Sequence, residues 1–375
     1  MRPASTENIP KLGYRPALDG IRGISILLVI GVHTGQPYFQ SGFLGVDAFF
    51  VLSGFLITAL LVGEYRRDGR MNIPAFYGRR VLRLIPALLF MLAVTTLYSI
   101  FFTSGVESAA NNRQALWSLL YLGNWSHLFD PQPVRTLTDP TWSLAIEEQF
   151  YIVWPLVLLL LLRLRLRVTV GVVGLMIGAV AVWRAATWLQ TGDWQRSYFG
   201  SDMRGDALLV GCLVGLLFAW GVLPRVSHRI AGMLLYISMP GFLFLNLTSG
   251  YEDPFLYLGG LTLFAAVVGI GVAYLMGQPH ERVISVLSWK PLVWVGSVSF
   301  GIYLWHWAMF YMVAHSGIEW PSLPGVALGI AATALVATFS YYVIERPFLK
   351  LKDRWSRSRT KPQVLVPDGR VAPAE

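Results

Sequence analysis

Apolar stretches long enough to cross a bilayer alternate along this chain with short polar or basic connections. Because the hydrocarbon core of a bilayer is about 30 Å thick, a spanning helix needs about 20 predominantly apolar residues. We therefore expect an all-α integral membrane protein, a polytopic bundle of about ten transmembrane helices. The predicted spans are residues 21–36, 43–65, 84–103, 142–162, 168–189, 203–223, 230–247, 255–276, 292–314 and 324–344.

The polar segments divide the chain into three parts. Residues 1–19 are polar and contain prolines, and we expect them to form a cytoplasmic segment. Residues 20–348 are the predicted transmembrane domain, and the basic residues 349–375 predict a disordered cytoplasmic tail. Within the domain, the polar stretch 104–141 contains the apolar piece 116–125. This piece is too short to span a bilayer, which predicts an interfacial or re-entrant helix.

The distribution of basic residues predicts the orientation. If both termini are cytoplasmic, only five of the 30 Lys and Arg residues lie in outer loops or at outer span ends, and the other 25 lie inside. The positive-inside rule therefore favours cytoplasmic termini. The five outer residues are Arg113, Arg135, Arg184, Arg196 and Arg204.

Composition narrows the class further. The chain of 375 residues is 55% hydrophobic and 14% charged, which excludes a soluble domain. Its one cysteine, Cys212, excludes an internal disulfide and argues against a thiolate metal site, so we expect no metal and no tightly bound cofactor. The net charge of +9 is explained by basic cytoplasmic loops facing membrane lipids, without nucleic acid as a partner. We expect a multi-pass membrane protein.

Two ionisable residues share one face of the first predicted helix. Arg22 and His33 are 11 positions apart, so at about 100° per residue they return to within roughly 20° of the same direction. At about 1.5 Å per residue they are separated by roughly 16 Å along the axis, about half the hydrocarbon thickness. A turn rich in Gly and Pro follows, and Asp47 lies just after it. Ionisable groups inside membrane segments are costly, so His33 and Asp47 together predict a functional site.

The predicted inner face carries a group of arginines. Arg79 and Arg83 are four positions apart and would share a helix face. Because the guanidinium fork is fixed and permanently charged, such a group suits phosphate recognition. Binding of lipid headgroups is the alternative for arginines in loops. The candidate phosphate-binding residues are Arg22, Arg79, Arg80, Arg83 and Arg346.

A second polar group is predicted toward the outer face. His33 and Asp47 flank the first turn, and Glu147 and Tyr151 are four positions apart on the fourth span. A local ion pair between Arg204 and Asp206 is the alternative to a substrate-binding role for those two residues. The other members of the outer group are Trp142, Glu148, Tyr303 and His306.

Seven motifs in this order resemble the acyltransferase type 3 family of bacterial membrane O-acyltransferases. The resemblance covers residues 14–348, and the family's pattern of Arg, ten residues and His falls on Arg22 and His33. The family's basic motif falls on Arg79, Arg80 and Arg83. The motifs read LDGIRGISILLVIGVH, GFLGVDAFFVLSGFLI, FYGRRVLRLIPA, WSLAIEEQFYIVWP, MRGDALLVG, SVSFGIYLWH and IERPF.

The resemblance implies ten membrane helices and transfer of an acyl group, often acetyl, from coenzyme A to a hydroxyl. Acceptors in the family include surface polysaccharides, peptidoglycan, glycolipids and macrolide antibiotics. Some members carry a fused extracytoplasmic esterase-like domain, and the 375 residues resemble the membrane part alone.

That chemistry gives the candidate residues roles. An alcohol needs a base to become a good nucleophile, so we expect His33 to take its proton and Asp47 or Glu147 to orient the imidazole. Tyr151 or Trp142 is the candidate donor to the oxyanion. The arginines would hold the phosphates of acyl-CoA. The acceptor-binding candidates are Trp142, Glu148, Arg204, Asp206, Tyr303 and His306.

Two other classes fit the same pattern. Buried His, Asp and Arg residues also form proton relays, so a proton-coupled transporter or flippase of an anionic or sugar-linked solute is the alternative function. A non-catalytic membrane sensor is a third class. Acyl-CoA hydrolysis or transfer by the purified protein separates an enzyme from both.

Overall fold

A computed structural model describes residues 10, 12–223, 228–277 and 279–351 of the chain. In these residues the regular secondary structure is helical, and no strand is present. The helices are α1 (Pro16–His33), α2 (Leu44–Asp68), α3 (Ile73–Phe102), α4 (Gly105–Leu119), α5 (Gly123–Phe129), α6 (Thr141–Leu161), α7 (Leu166–Thr191), α8 (Trp194–Phe199), α9 (Ser201–Ala219), α10 (His228–Thr248), α11 (Leu261–Met276), α12 (Glu281–Leu287), α13 (Lys290–Ser297), α14 (Ser299–His315) and α15 (Leu323–Phe339). A π-helical segment, Leu256–Gly260, precedes α11, and another, Ser340–Glu345, follows α15.

Seven helical segments of the described chain are long and apolar enough to cross a membrane. They contain α1, α2, α3, α6, α7, α11 and α15. The pair α13 and α14 passes the same test together, with a bend of 72° between the two helices, and makes an eighth candidate span. The protein is therefore an all-helical protein of the polytopic membrane type. The count of ten spans and the cytoplasmic side of the termini stay predictions.

Local sequence signals explain where several helices begin and end. Pro16 opens α1, where the missing backbone N–H costs no intrahelical hydrogen bond. Asn72 caps α3 by accepting a hydrogen bond from the backbone N–H of Ala75 at 3.0 Å. Gly69 and Gly192 end α2 and α7 in the left-handed conformation, at φ 69° and 62°.

Several predicted boundaries differ from the structure. The helix of the third span begins at Ile73 rather than at residue 84, so its basic motif is helical. The apolar piece 116–125 was predicted as one short helix, but a turn at Tyr121 divides it between α4 and α5. The backbone of Tyr121 has φ 54°, which ends a helix locally. The predicted tail beyond residue 351 and the first nine residues lie outside the described residues.

The centre of the bundle is the contact between α2 and α9, the most extensive between any two helices of the described chain. Glycines bring the two backbones together. A Cβ atom added to Gly211 would lie 2.0 Å from the carbonyl oxygen of Val51, and one added to Gly54 would lie 1.9 Å from that of Leu208. Small residues that permit such close approach are a main source of helix association in membranes.

The substitution Gly211→Ala should therefore destabilise the bundle by about 1–3 kcal/mol, because the added methyl group forces α2 and α9 apart. Thermal unfolding of the purified protein in detergent measures this. Gly63→Ala is the matched control, since nothing lies within 4 Å of a Cβ atom at that position of α2. Equal melting temperatures for the two variants would contradict the packing account.

Candidate functional site

A cavity of about 1090 Å³ opens beside the carboxyl end of α1. We call it the His33 cavity. Its walls come from α1, α5, α6, α8 and α14, from the loop between α5 and α6, and from the loop after α10. Aromatic side chains and a few polar groups line it, as is common in sites for small organic ligands. The wall includes His33, His127, Arg135, Asp139, Trp142, Trp194, Tyr198, Tyr251, Tyr303, Trp307 and Trp320.

His33 is the last residue of α1, and the chain turns directly after it. Its Nδ1 lies 2.7 Å from the carbonyl oxygen of Val29, one helical turn earlier. Because a carbonyl can only accept, Nδ1 must be the donor. The neutral ring then has an unshared electron pair on Nε2, the nitrogen that is available to act as a base.

A second imidazole lies next to the first. The ring centroids of His33 and His306 are 4.9 Å apart, and the indole of Trp307 lies 5.2 Å from the His33 ring. His306 is fully buried, and its Nδ1 donates to the carbonyl of Tyr303 at 2.6 Å. Its Nε2 has no hydrogen-bond partner among the described residues. The structure thus brings together His33 and His306, which the sequence places on different spans.

Tyr303 and Trp142 also reach this cavity, as residues predicted to bind the acceptor. The Tyr303 hydroxyl donates to the carbonyl of Pro140 at 2.7 Å. Its only proton is thereby used, so the Ser143 hydroxyl, 2.6 Å away, donates to Tyr303. These bonds fix the start of α6 against α14.

Asp47 does not contact His33. Its carboxylate accepts a hydrogen bond from Arg204 at 2.9 Å, and both side chains are buried. The Arg204 guanidinium also lies 4.8 Å from the centroid of the Tyr198 ring. The backbone carbonyl of Val29 therefore occupies the place that the sequence analysis gave to a carboxylate.

The local ion pair between Arg204 and Asp206, which was the alternative to a substrate-binding role, is not formed either. Asp206 instead accepts two hydrogen bonds from Arg184 of α7, each 2.9 Å long, and one from Thr262 of α11. Both ion pairs thus join different helices. Arg184 has no partner that could be assigned from the sequence, although an arginine within an apolar helix signals one.

Glu147, Glu148 and Tyr151 lie with arginines of α3 rather than with His33. Arg80 donates to Glu148 at 2.6 Å, and its guanidinium lies 3.4 Å from the centroid of the Tyr151 ring. Glu147 accepts a hydrogen bond from Ser53 at 2.9 Å. Glu147, Glu148 and Tyr151 do not line the His33 cavity. The helix rise explains this, because the motif begins about 9 Å along α6 from Thr141.

Around Arg80 lies a group that we call the arginine cluster, Arg22, Arg80 and Arg83. Arg83 has an exposed side chain, and it has no carboxylate within ion-pair distance in the described structure. It interacts electrostatically with Arg22, Arg80 and Glu147. Arg22 has one weak contact, 3.5 Å to Asp19. Arg83 is therefore the member of the cluster whose guanidinium is not paired directly with a carboxylate in the described chain.

The other two predicted phosphate-binding residues are placed differently. Arg79 turns toward Glu64, at 3.9 Å, and Arg346 lies 5.6 Å from the ring centroid of Tyr342. Glu345, which the sequence analysis did not select, is buried in the π-helical segment and interacts with Arg22 and Arg83. Its sequence signals were a charge at the end of an apolar span and a place in the motif IERPF.

The arrangement combines a base with a binding surface for anions. Arg22 and His33 are on the same helix, so the arginine cluster and the His33 cavity are joined through α1. In the part of the chain that the structure describes, no three His, Cys, Asp or Glu side chains come together as metal ligands would.

Comparisons with known proteins fit this arrangement. The chain is similar to the peptidoglycan O-acetyltransferase OatA of Listeria monocytogenes serovar 1/2a, with 37% identity over 359 residues, 90% of this chain and 56% of that protein. It is similar to the putative peptidoglycan O-acetyltransferase YrhL of Bacillus subtilis, with 34% identity over 354 residues, 89% of this chain and 55% of that protein. It is similar to the O-acetyltransferase OatA of Staphylococcus aureus, with 34% identity over 359 residues, 90% of this chain and 57% of that protein.

The chain thus spans about half the length of the curated relatives it matches. No solved structure matches it. A family model described as an acyltransferase domain matches residues 15–344, nearly the whole helical bundle. With this match and these identities, the chain belongs to the acyltransferase type 3 family that its motifs resemble.

Proposed function

We propose that this chain is a membrane O-acyltransferase that moves an acyl group, acetyl or another short chain, from acyl-CoA to a hydroxyl of a glycan. The observation that carries the proposal is the position of His33, whose Nε2 is free to accept a proton in a cavity large enough for a sugar. Its helix also contains Arg22 of the arginine cluster. The relatives are bacterial, so we place the protein in the bacterial plasma membrane.

The donor is assigned to the arginine cluster. Coenzyme A has a 3′-phosphate and a pyrophosphate, and guanidinium groups bind phosphate through paired charge-assisted hydrogen bonds. Arg83 is the best candidate because it is exposed and has no ion-pair partner in the described chain. Arg22 lies roughly 16 Å along α1 from His33. The narrow pantetheine arm would cover this distance and bring the thioester to the imidazole.

The acceptor is assigned to the His33 cavity. One relative is named a peptidoglycan O-acetyltransferase and another a putative one, and peptidoglycan is a glycan with free hydroxyls. The aromatic walls of Trp142, Tyr198 and Trp307 suit sugar rings, and the hydrogen-bonding groups between them suit hydroxyls. Glycolipids and glycosylated natural products such as macrolides have the same chemistry and are the other acceptor classes.

The reaction follows from these positions. Nε2 of His33 takes the proton of the acceptor hydroxyl while its oxygen attacks the thioester carbonyl. The new C–O bond forms, the C–S bond breaks, and the proton passes from His33 to the leaving thiolate. Throughout the reaction, Nδ1 of His33 keeps its proton and donates a hydrogen bond to the Val29 carbonyl. The indole N–H of Trp142 is the candidate donor to the oxyanion. In the alternative, His33 is acylated first, and the hydroxyl attacks that intermediate.

Purified protein in detergent tests the proposal directly. With acetyl-CoA and soluble peptidoglycan fragments, we expect release of free CoA and a matching mass increase of 42 Da per acetylated fragment, the mass of an acetyl group less one hydrogen. Proton-coupled uptake of solute into liposomes without any acyl donor is the result expected for a transporter. Failure to release CoA or to acylate any glycan would contradict the enzyme assignment.

Removal of one arginine should weaken donor binding. A lost charge-assisted phosphate contact is typically worth about 1.5–3 kcal/mol, so Arg83→Ala or Arg22→Ala should reduce acyl-CoA affinity roughly ten- to hundred-fold. Calorimetric titration with a non-hydrolysable acyl-CoA analogue measures this. Arg79→Ala is the control on α3, the helix of Arg83. Because Arg79 already faces Glu64, its loss should reduce acyl-CoA affinity less. Unchanged affinity in both test variants would contradict the assignment.

A further inference from the structure

Among the residues that the structure describes, Arg135 is the one lysine or arginine in the wall of the His33 cavity, and the mechanism above gives it no role. Its side chain is exposed to the cavity. No carboxylate of the described chain lies within ion-pair distance of its guanidinium, and it makes no hydrogen bond there. A guanidinium has five N–H donors in a rigid fork. All five are therefore available to a ligand.

The position of this guanidinium is set by its neighbours. It lies 5.5 Å from the centroid of the Trp307 indole, within the range of a cation–π interaction. The Trp307 N–H in turn donates to the carbonyl of Thr136 at 2.7 Å, and the next backbone N–H, that of Leu137, donates to Asn111 at 2.9 Å. These two hydrogen bonds hold the loop against α14 and α4. The backbone next to Arg135 is therefore fixed beside the cavity.

The same indole connects Arg135 to the base. The ring centroids of Trp307 and His33 are 5.2 Å apart, so the guanidinium and the imidazole both lie against one tryptophan. A group bound to Arg135 would therefore place the adjoining part of an acceptor beside Nε2 of His33.

Three carboxylates also line the cavity, and their contacts show why they leave Arg135 free. Asp139 accepts hydrogen bonds from the backbone and hydroxyl of Thr136, and Asp253 accepts one from the backbone of Phe255 at 2.9 Å. Glu252 is exposed on the loop after α10. Asp139 attracts the Arg135 guanidinium without forming an ion pair, and the other two carboxylates hold loop backbone or face solvent. Among the described residues, the donors of Arg135 therefore stay unpaired and can meet an incoming anion.

We propose that Arg135 determines acceptor specificity by binding an oxyanion, a carboxylate or a phosphate, on the sugar that is acylated. This rests on the proposed function and narrows it to anionic glycans. The guanidinium fork matches either oxyanion with two parallel hydrogen bonds. The sugar hydroxyl next to the anion would then meet His33.

Matched acceptors separate the two oxyanions from neutral sugars. One pair is the methyl glycoside of N-acetylmuramic acid and its carboxamide. The other pair is N-acetylglucosamine 1-phosphate and the methyl glycoside of N-acetylglucosamine. With acetyl-CoA as donor, the wild-type protein should acylate at least one charged form about ten-fold or more faster than its neutral partner. The pair that shows the preference identifies the oxyanion.

The variant Arg135→Gln should lose that preference. We expect its rate with the preferred charged acceptor to fall about ten-fold or more, while the rate with the neutral partner and the affinity for acyl-CoA stay near wild type. Arg135→Lys should keep part of the preference. Arg113→Gln is the control, because Arg113 is in the neighbouring helix and already donates to Asp130 at 2.9 Å. Hydrogen bonds from Trp117 and Arg113 lower the pKa of Asp130, which keeps that pair charged.

The outcomes distinguish the two proposals. Acyl-CoA turnover without any preference between charged and neutral acceptors, including no transfer to either, overturns the role of Arg135 alone. If Arg135→Gln lowers the acylation rate equally with charged and neutral acceptors, the role of Arg135 is overturned as well, because an equal loss indicates a structural role. Absence of both acyl-CoA binding and turnover in the wild-type protein overturns the proposed function itself.

Discussion

Replacement of His33 by glutamine should reduce turnover by at least about 100-fold, the lower end of what a general base contributes. Glutamine keeps the approximate size of the side chain and can still donate to the Val29 carbonyl, but it cannot take a proton at neutral pH. We expect the variant to fold, to insert into the membrane and to bind acyl-CoA with wild-type affinity. Steady-state CoA release at matched protein level measures the loss.

The control for this substitution is His315→Gln. His315 is at the end of α14 near Glu107, its Nε2 lies 3.0 Å from the Phe102 carbonyl, and it does not line the His33 cavity. This variant should keep normal turnover. Near-normal turnover in His33→Gln would contradict the role of His33 and move the catalytic centre to His306 or Glu147.

Loss of one partner of the buried pair between Arg204 and Asp47 should have the largest effect on stability. Removing one member of such a pair leaves an uncompensated buried charge, which typically costs 3–5 kcal/mol, roughly. We therefore expect Asp47→Asn and Arg204→Met each to lower the melting temperature in detergent sharply. The double variant Asp47→Leu with Arg204→Met should recover much of the loss, because it leaves no unpaired charge.

This experiment also tests the role that the sequence analysis gave to Asp47. If Asp47→Asn folds with wild-type stability but loses turnover, Asp47 serves the chemistry at His33 and the ion pair is not its main function. Arg196→Ala is the control, because the pair between Arg196 and Asp202 is partly exposed. Exposed ion pairs are typically worth up to about 1 kcal/mol. A stability loss no larger than that of the control would contradict the buried-pair account.

The sequence allowed the class of protein and the family to be predicted correctly, because both depend on patterns within the chain. Apolar runs of bilayer length indicate a helical membrane protein, and the motifs from Leu18 to Phe348 indicate the family. The turn after the first helix was also predicted from its Gly and Pro residues, although the helix ends at His33 and not at residue 36. Such features are local, so they can be read without knowing how the helices are arranged.

Partnerships between distant helices could not be read in the same way. Asp47 and Arg204 are 157 positions apart, and their pairing depends on how α2 and α9 rotate against each other. The same holds for Arg184, which joins Asp206 rather than lying alone at a span end. Glu147 was grouped with His33 because both were assigned to one depth, but the orientation of α6 directs it to Ser53 and the arginine cluster. Periodicity gives the face of a helix, not the neighbour that the face meets.

Sided proteoliposomes test the central claim most directly, namely that the donor binds at the arginine cluster and the acceptor in the His33 cavity at the other end of α1. The protein is reconstituted in a known orientation with acetyl-CoA sealed on one side and a membrane-impermeant glycan on the other, and acetylated glycan is measured by mass spectrometry. We predict product when acetyl-CoA is on the side of Arg83 and the glycan is on the side of His33, and none in the reverse arrangement. Product formed only when donor and acceptor share one side would contradict the account.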